Sequence, residues 1–346
     1  MPTPPITDET LQESIDVYIR NGWNTSAAAR EIGIDRSSMQ HRLRTAQERG
    51  LLNMPDREPN PSKHRPFAET KAAQIEQFKR RKMHGTWRNP NRVTLKNDLP
   101  FLIIFIGDPH LDNPGTDLEL FDKWTEPLCA GAGIYGFALG DWLDNWVRFL
   151  KFLYAETTVT EEEGGVLLDG YLEKLAPNLI GSVSGNHDDW SAYLGRKMDS
   201  LGVLHRSYGM LLELVTPGRA DPIRIGARHR WTGKSIHNNA HGVMRGARAF
   251  RDHIVVGGDY HISGSNIVKC PETGRLSHCH QIAAFKIYDD YADENGFTDS
   301  HISPAVACLI DPSKPDTDPS MVKSFHDIND ALVCLDAARA ERSAAA

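Results

Sequence analysis

Four short apolar runs in this chain each lead into glycine followed by a side chain able to bind a cation, and that repeated arrangement limits the fold most. Residues 101–106 run into Gly107-Asp108, and residues 134–139 into Gly140-Asp141. Residues 179–183 lead to Gly185-Asn186, and residues 253–256 to Gly257-Gly258-Asp259. Apolar runs of this length, bounded by glycine, suit strands covered on both faces. Helical stretches lie between them. Such alternation predicts an α/β sandwich, in which ligands gather at the C-terminal ends of strands. Glycine before a ligand permits a sharp turn and close backbone approach.

The loops themselves carry a consistent chemistry. They contain Asp108-Pro109-His110, Gly140-Asp141-Trp142-Leu143-Asp144, Gly185-Asn186-His187-Asp188 and Gly258-Asp259-Tyr260-His261. Carboxylates, imidazoles and an amide oxygen together suit Mn²⁺, Fe²⁺ or Zn²⁺. Two ions about 3.5–4 Å apart need a shared carboxylate with a ligand set on each side. One Asp-x-His alone is an ordinary polar loop; four such loops in order, each after an apolar run, are hard to obtain by chance.

The array resembles the calcineurin-like metallophosphoesterase superfamily, whose pattern is D-x-H, G-D-x-x-D, G-N-H-[DE], a lone His, then G-H-x-H. The resemblance covers residues 98–312 and implies an αββα sandwich holding two divalent cations, Mn²⁺ first, with Fe²⁺ or Zn²⁺ as alternatives. Carried over by residue, it implies that Asp108, His110 and His261 hold the first cation. Asp141 would bridge both, and Asn186 would hold the second. His187 would act on the phosphate as an acid or electrostatic stabiliser, with Asp144 orienting its ring. A cation-bound hydroxide would attack phosphorus.

In one place the chain departs from this pattern: Asp259 stands where the family has histidine. A carboxylate can replace imidazole on a hard cation, and a working second site is favoured over a damaged one. The lone histidine is ambiguous. His229, ending an apolar segment, is the first choice; His241 is the second, otherwise a phosphate contact at a helix N-terminus. His237 reads as a surface residue. Arg228, Arg230 and Lys234 could neutralise a phosphate or be ordinary surface charge. Trp142, Trp146, Phe149 and Leu153 form a helical stripe, read as core or a dimer contact. Cys270 with His278-Cys279-His280 fits no zinc-finger spacing, and alternation along a strand accounts for it better.

Charge divides the chain. Residues 1–100 balance at +5 and the remaining 246 at −12 within the net −7, so the N-terminal part suits a polyanion. Residues 8–50 read as three short helices. Leu11, Ile15, Tyr18 and Ile19 share a face of the first; Asn24 or Thr25 caps the second, and Asp35 the third. Met39, Leu43 and Ala46 point inward. The run from Ala28 to Ser38 resembles the helix-turn-helix of Fis-type regulators, and similar segments occur in phage and transposase DNA-binding domains. That likeness implies that Arg36, Ser37, Gln40, His41 and Arg44 face DNA.

The expected organisation is a helix-turn-helix domain over 1–52 and a Pro-rich, basic helical linker over 53–97. The metallophosphoesterase domain follows over 98–312, then a C-terminal helical tail over 313–346. In the tail Phe325, Ile328, Leu332 and Leu335 form one helical stripe. No run reaches the ~18 apolar residues of a membrane span. The N-terminus lacks a signal-peptide pattern, and five cysteines without a CxxC pair suit a reducing cytoplasm. The leading expectation is a phosphodiesterase or nuclease acting on nucleic acid. Its alternatives are a DNA-binding regulator with an inactive phosphoesterase domain and a phosphatase of a small phosphoester. DNA and a phosphoester are the expected partners, membrane is not, and the oligomeric state is open.

Overall fold

A computed structural model of the chain describes residues 6–52, 65–83, 87–145, 157–190, 192–287 and 302–344. They form two compact units, Met1–Arg81 and Lys82–Ala346.

The smaller unit opens with α1 (Asp8–Arg20), α2 (Thr25–Ile32) and α3 (Arg36–Glu48). Asn24 caps α2, accepting the Ser26 and Ala27 N–H groups at 3.0 and 3.1 Å. Asp35 caps α3 through the Ser38 N–H at 2.8 Å, satisfying donors that a helix start leaves open. Between these helices Gly33 takes a left-handed φ of 78° that closes α2. Leu11, Ile15, Ala28, Met39, Leu43 and Ala46 form the core. Ile19, expected inside, is 47% exposed, and Val17 is buried instead. A fourth helix, α4 (Phe67–Met83), matches the basic helix expected in the linker.

In the larger unit two six-stranded sheets pack face to face. One holds, in spatial order, β12 (Val322–Phe325), β11 (Val306–Ile310), β2 (Phe101–Ile106), β3 (Ile134–Ala138), β4 (Leu179–Ser184) and β5 (His205–Ser207). The other holds β1 (Pro90–Thr94), β6 (Gly209–Val215), β7 (Ile223–Arg228), β8 (Ile254–Gly257), β10 (Leu276–Gln281) and β9 (Gly264–Lys269). The pairs β2–β3, β3–β4, β7–β8 and β8–β10 are parallel, so their C-terminal ends open toward one edge of the sandwich.

Strand β2 shows why the apolar runs are continuous. Phe101, Ile103 and Phe105 face the opposite sheet, while Leu102, Ile104 and Ile106 face helices. Full burial of each such side chain favours folding by about 1.5–3 kcal/mol. Helices α5 (Leu118–Ala130), α6 (Glu161–Leu175), α7 (Tyr193–Ser200) and α9 (Ile328–Ala344) supply that outer layer. Helix α8 (His241–Phe250) covers the other sheet through Val243 and Ala247 against Val255 and Trp231. The result is the αββα sandwich expected.

Three expectations need correction. The stretch 53–97 is not wholly a linker, because β1 lies within it and pairs with β6, Arg92 standing opposite Glu213. Phe325 belongs to β12 rather than to the tail helix, which buries Ile328, Ala331 and Leu335. Trp142 sits in the core after β3, not on a helix; Trp146, Phe149 and Leu153 lie outside the described residues. The buried His278, Cys279 and His280 lie on β10, and all five cysteines are free. Among the described residues, no helix is long and apolar enough to cross a membrane.

Candidate functional site

The loops after β2, β3 and β4 of one sheet and after β7 and β8 of the other meet at the open strand ends. Three sets of side chains each bring ligand atoms within 4.8 Å of one another: Asp108 with His110 and His261, Asp108 with Asp141 and His229, and His110 with Asp144 and His187. Asn186 joins the second set, its Oδ1 lying 3.1 Å from His229 Nε2. Asp141 Oδ2 lies 3.2 Å and Asp259 Oδ1 3.4 Å from the same nitrogen.

Of the two uses expected of the glycines in these loops, close approach is the commoner and the unusual turn falls mostly on the residue that follows. Among the described non-glycine residues, Asp108, His110, Asp141, Asp259 and His261 themselves take left-handed φ values between 43° and 73°. Of the glycines before them, only Gly140 does so. The others are required by space. A Cβ at Gly185 would overlap the Asp141 carboxylate, and one at Gly258 the Asp108 carboxylate. Aspartate and histidine are among the residues that tolerate this backbone region, and strain of this kind gathers at functional sites.

Polar contacts orient the imidazoles. His229 is buried, and its Nδ1 donates to the Leu139 carbonyl at 2.7 Å, leaving Nε2 free to face Asn186, Asp141 and Asp259. His229 thus lies beside Asp108 and Asp141 in the second set. His241 begins α8 and belongs to none of the three sets among the described residues. His237 is exposed. His110 Nδ1 lies 2.7 Å from Asp144 Oδ1, which turns its Nε2 to within 3.3 Å of His261 Nε2. His187 Nδ1 donates to the Asp144 backbone carbonyl at 2.6 Å, and its Nε2 stands 4.0 Å from Asp141 Oδ2.

The expected role of Asp144 is therefore corrected. Its carboxylate orients His110, not His187, and it is its backbone that holds His187. Asn113 Nδ2 donates to the same carboxylate, and Lys286 Nζ stands 3.8 Å from it.

Burial and charge oppose each other here. Burial pushes Asp108 well above the usual carboxylate range, with neighbouring Asp141 adding to the rise. Burial would also raise Asp141, but the adjacent His229 outweighs it and holds Asp141 low. Burial would lower His229, yet Asp141 raises it. His261 is held well below its ordinary value by burial and by His110. Buried carboxylates facing imidazole nitrogens are the donor set of a divalent cation site, so the residues fit the expected ions.

Two further residues clamp the loops. Asp188 is buried, and its carboxylate accepts N–H groups of Asp141, Gly185 and Trp142 at 2.7, 2.8 and 3.1 Å. Burial, then the charge of Asp141, pushes it up to about 6. Asp112 accepts the Asp144 N–H at 2.7 Å. Asp188 stands within the G-N-H-D motif, whereas nothing local in the sequence marks Asp112, two residues beyond His110, or Lys286 as part of the site. Of the three basic residues noted, Arg228 stacks on Trp87 and Trp231 at 5.2 and 5.6 Å. Lys234 lies over the Tyr260 ring at 4.5 Å, and Arg230 grips Asp259.

In the smaller unit, Arg36, Ser37, Gln40, His41 and Arg44 are all exposed on α3.

No family model matches the chain, and no curated protein matches it. Solved structures resembling it include vacuolar protein sorting 29 from Cryptosporidium parvum, at 16% identity and TM-score 0.36, covering 66% of this chain and 96% of that one. Vps29 complexed with zinc from Entamoeba histolytica stands at 13% and 0.37, covering 65% and 97%. A conserved uncharacterized protein from Streptococcus pneumoniae, described as a predicted phosphoesterase, stands at 14% and 0.29, covering 65% and 97%. The functional reading rests on the site's own geometry.

Proposed function

We propose that the larger unit is a metal-dependent phosphoesterase and that the whole chain acts on nucleic acid as a phosphodiesterase or nuclease. The observation that carries the first part is the convergence of Asp108, His110, Asp141, Asn186, His229 and His261 from two sheets onto one strand-end cluster. Divalent cations bound there, Mn²⁺ foremost, supply charge to the phosphoryl oxygens and acidify water. Asp108, His110 and His261 would hold the first, Asn186 and His229 the second, with the Asp141 carboxylate within reach of both sets.

The chain's own residues do the rest. His187, fixed through its Nδ1, presents Nε2 toward the cluster; as imidazolium it carries there the proton a leaving oxygen needs. Asp144 places His187 and His110 together, one through its backbone and one through its side chain. The exposed polar face of α3 and the basic balance of the first hundred residues favour DNA as the partner, with Arg36, Gln40 and Arg44 reaching bases or phosphates and Ser37 and His41 the backbone.

The test is hydrolysis by the full chain with Mn²⁺, offered a chromogenic phosphodiester, a phosphomonoester, and single- and double-stranded DNA. Cleavage of the diester and DNA, nearly abolished by Asp141→Asn in a folded protein, is expected. Full activity of Asp141→Asn overturns the metal reading, and hydrolysis of the monoester alone overturns the nucleic-acid assignment.

A further inference from the structure

The Asp259 carboxylate has both oxygens held by an arginine. Its side chain is 3% exposed, yet Arg230, 61% exposed, reaches in to hold both oxygens. Arg230 Nε meets Oδ2 and Nη2 meets Oδ1, each at 2.5 Å. Asp259 backbone is fixed as well, its N–H donating to both Asp108 oxygens at 3.1 and 3.0 Å. Its carboxylate nevertheless stays outside the cluster in which Asp108, Asp141 and His229 approach one another, although Oδ1 is 3.4 Å from His229 Nε2. A cation beside His229 and the guanidinium of Arg230 thus compete for one carboxylate.

A planar guanidinium fork fits a carboxylate and a phosphate equally well. Arg230 directly follows His229, and most of its side chain is in solvent, so it can leave Asp259 without unpacking the core. We propose that Arg230 is a latch on the second cation subsite. In the substrate-free protein it occupies Asp259 and weakens the second cation; an arriving phosphate draws the guanidinium away and frees Asp259 as a ligand. Phosphate and the second cation then bind together, and each tightens the other by the same factor. This inference rests on the phosphoesterase reading and adds to it a substrate-dependent assembly of the second site.

The experiment measures Mn²⁺ binding to the full chain by equilibrium dialysis, with and without sub-millimolar inorganic phosphate. Wild type is compared with Arg230→Ala, Arg230→Lys and Asp259→Ala, each checked for an unchanged melting transition. Wild type should bind one ion tightly and a second weakly, and phosphate should tighten the second by about tenfold or more, the order of couplings between linked sites. Arg230→Ala should bind the second ion about as tightly without phosphate as wild type does with it, its phosphate coupling largely gone. Arg230→Lys, which cannot grip both oxygens, should fall between, and Asp259→Ala should lose the phosphate-driven gain. Two equal ions in phosphate-free wild type, or the same coupling in Arg230→Ala, overturns the latch while leaving the metal site standing. No bound ion in any protein overturns the phosphoesterase reading itself.

Discussion

Replacing Asp144 by asparagine separates the two duties that its carboxylate could have. The side chain is 1% exposed, and its Oδ1 stands 2.7 Å from His110 Nδ1, while His187 is held by the Asp144 carbonyl at 2.6 Å. Asparagine keeps the shape, the carbonyl and a polar oxygen but removes the charge that steadies His110 and makes its Nε2 a better donor. Loss of such a carboxylate behind a ligating histidine typically weakens a metal by about 10–100-fold, or roughly 1.4–2.7 kcal/mol. A cation bound at Asp108, His110 and His261 should weaken by that amount. At saturating Mn²⁺ most of the turnover should return, because His187 stays in place. Calorimetric Mn²⁺ titration and phosphodiester hydrolysis across a Mn²⁺ series check this, with melting of the metal-free proteins as the folding control. Unchanged cation affinity with a turnover loss that excess Mn²⁺ cannot restore would show that the carboxylate serves His187 after all.

Other perturbations test other parts of the molecule. Gly258→Ala drives a methyl group into the Asp108 carboxylate; overpacking of about 1–3 kcal/mol should appear as weaker cation binding in a protein with native circular dichroism, and wild-type affinity would mean that Asp108 moves aside freely. His280, buried between Ser265 and Ser324, has its ring pushed down to about 3 by burial. It stays neutral when folded but protonates when unfolded, so its contribution is complete above pH ~6.5 and is lost as pH falls toward ~3. In urea titrations, His280→Gln should therefore lose about 1 kcal/mol less stability than wild type between pH 6 and pH 5; equal losses would show that the ring does not stay neutral. Arg36→Ala with Arg44→Ala should lower the salt slope of duplex-DNA binding by about 2 and leave hydrolysis of a small diester unchanged, whereas an unchanged slope would remove α3 from the DNA contact.

The parts of the fold that could be read from sequence are those whose causes are local. Asn24 and Asp35 cap helices two or three residues away, and the apolar run of β2 declares its burial on both faces. What escaped depends on distant partners. In β6, Glu213 interrupts an apolar strand and is accounted for only by Arg92 opposite it on β1. β9 is an exposed edge strand whose identity comes from pairing with β10. At the site, residue types and order were visible, but not the division of labour. That His229 faces the cluster and His241 does not follows only in space, where the Leu139 carbonyl, ninety positions earlier, accepts from His229 Nδ1. Asp144 could be assigned to His110 only with both side chains in space.

The glycines show how the same loop residues answer to two constraints. Sequence allows each of these glycines to supply an unusual backbone turn, room for a close approach, or both. In the structure the unusual backbone falls on Gly140 and on Asp108, His110, Asp141, Asp259 and His261, at about 1–3 kcal/mol for each such non-glycine residue. Gly185 and Gly258 make room for carboxylates arriving from other strands. The backbone turns at the ligand because the ligand must point back across the strand end, and Asp188 holds that turn by accepting the Asp141, Trp142 and Gly185 N–H groups. A free chain would relax these turns. They persist because two sheets, packed over one core, bring five loops to the same place and leave each ligand one direction in which to point.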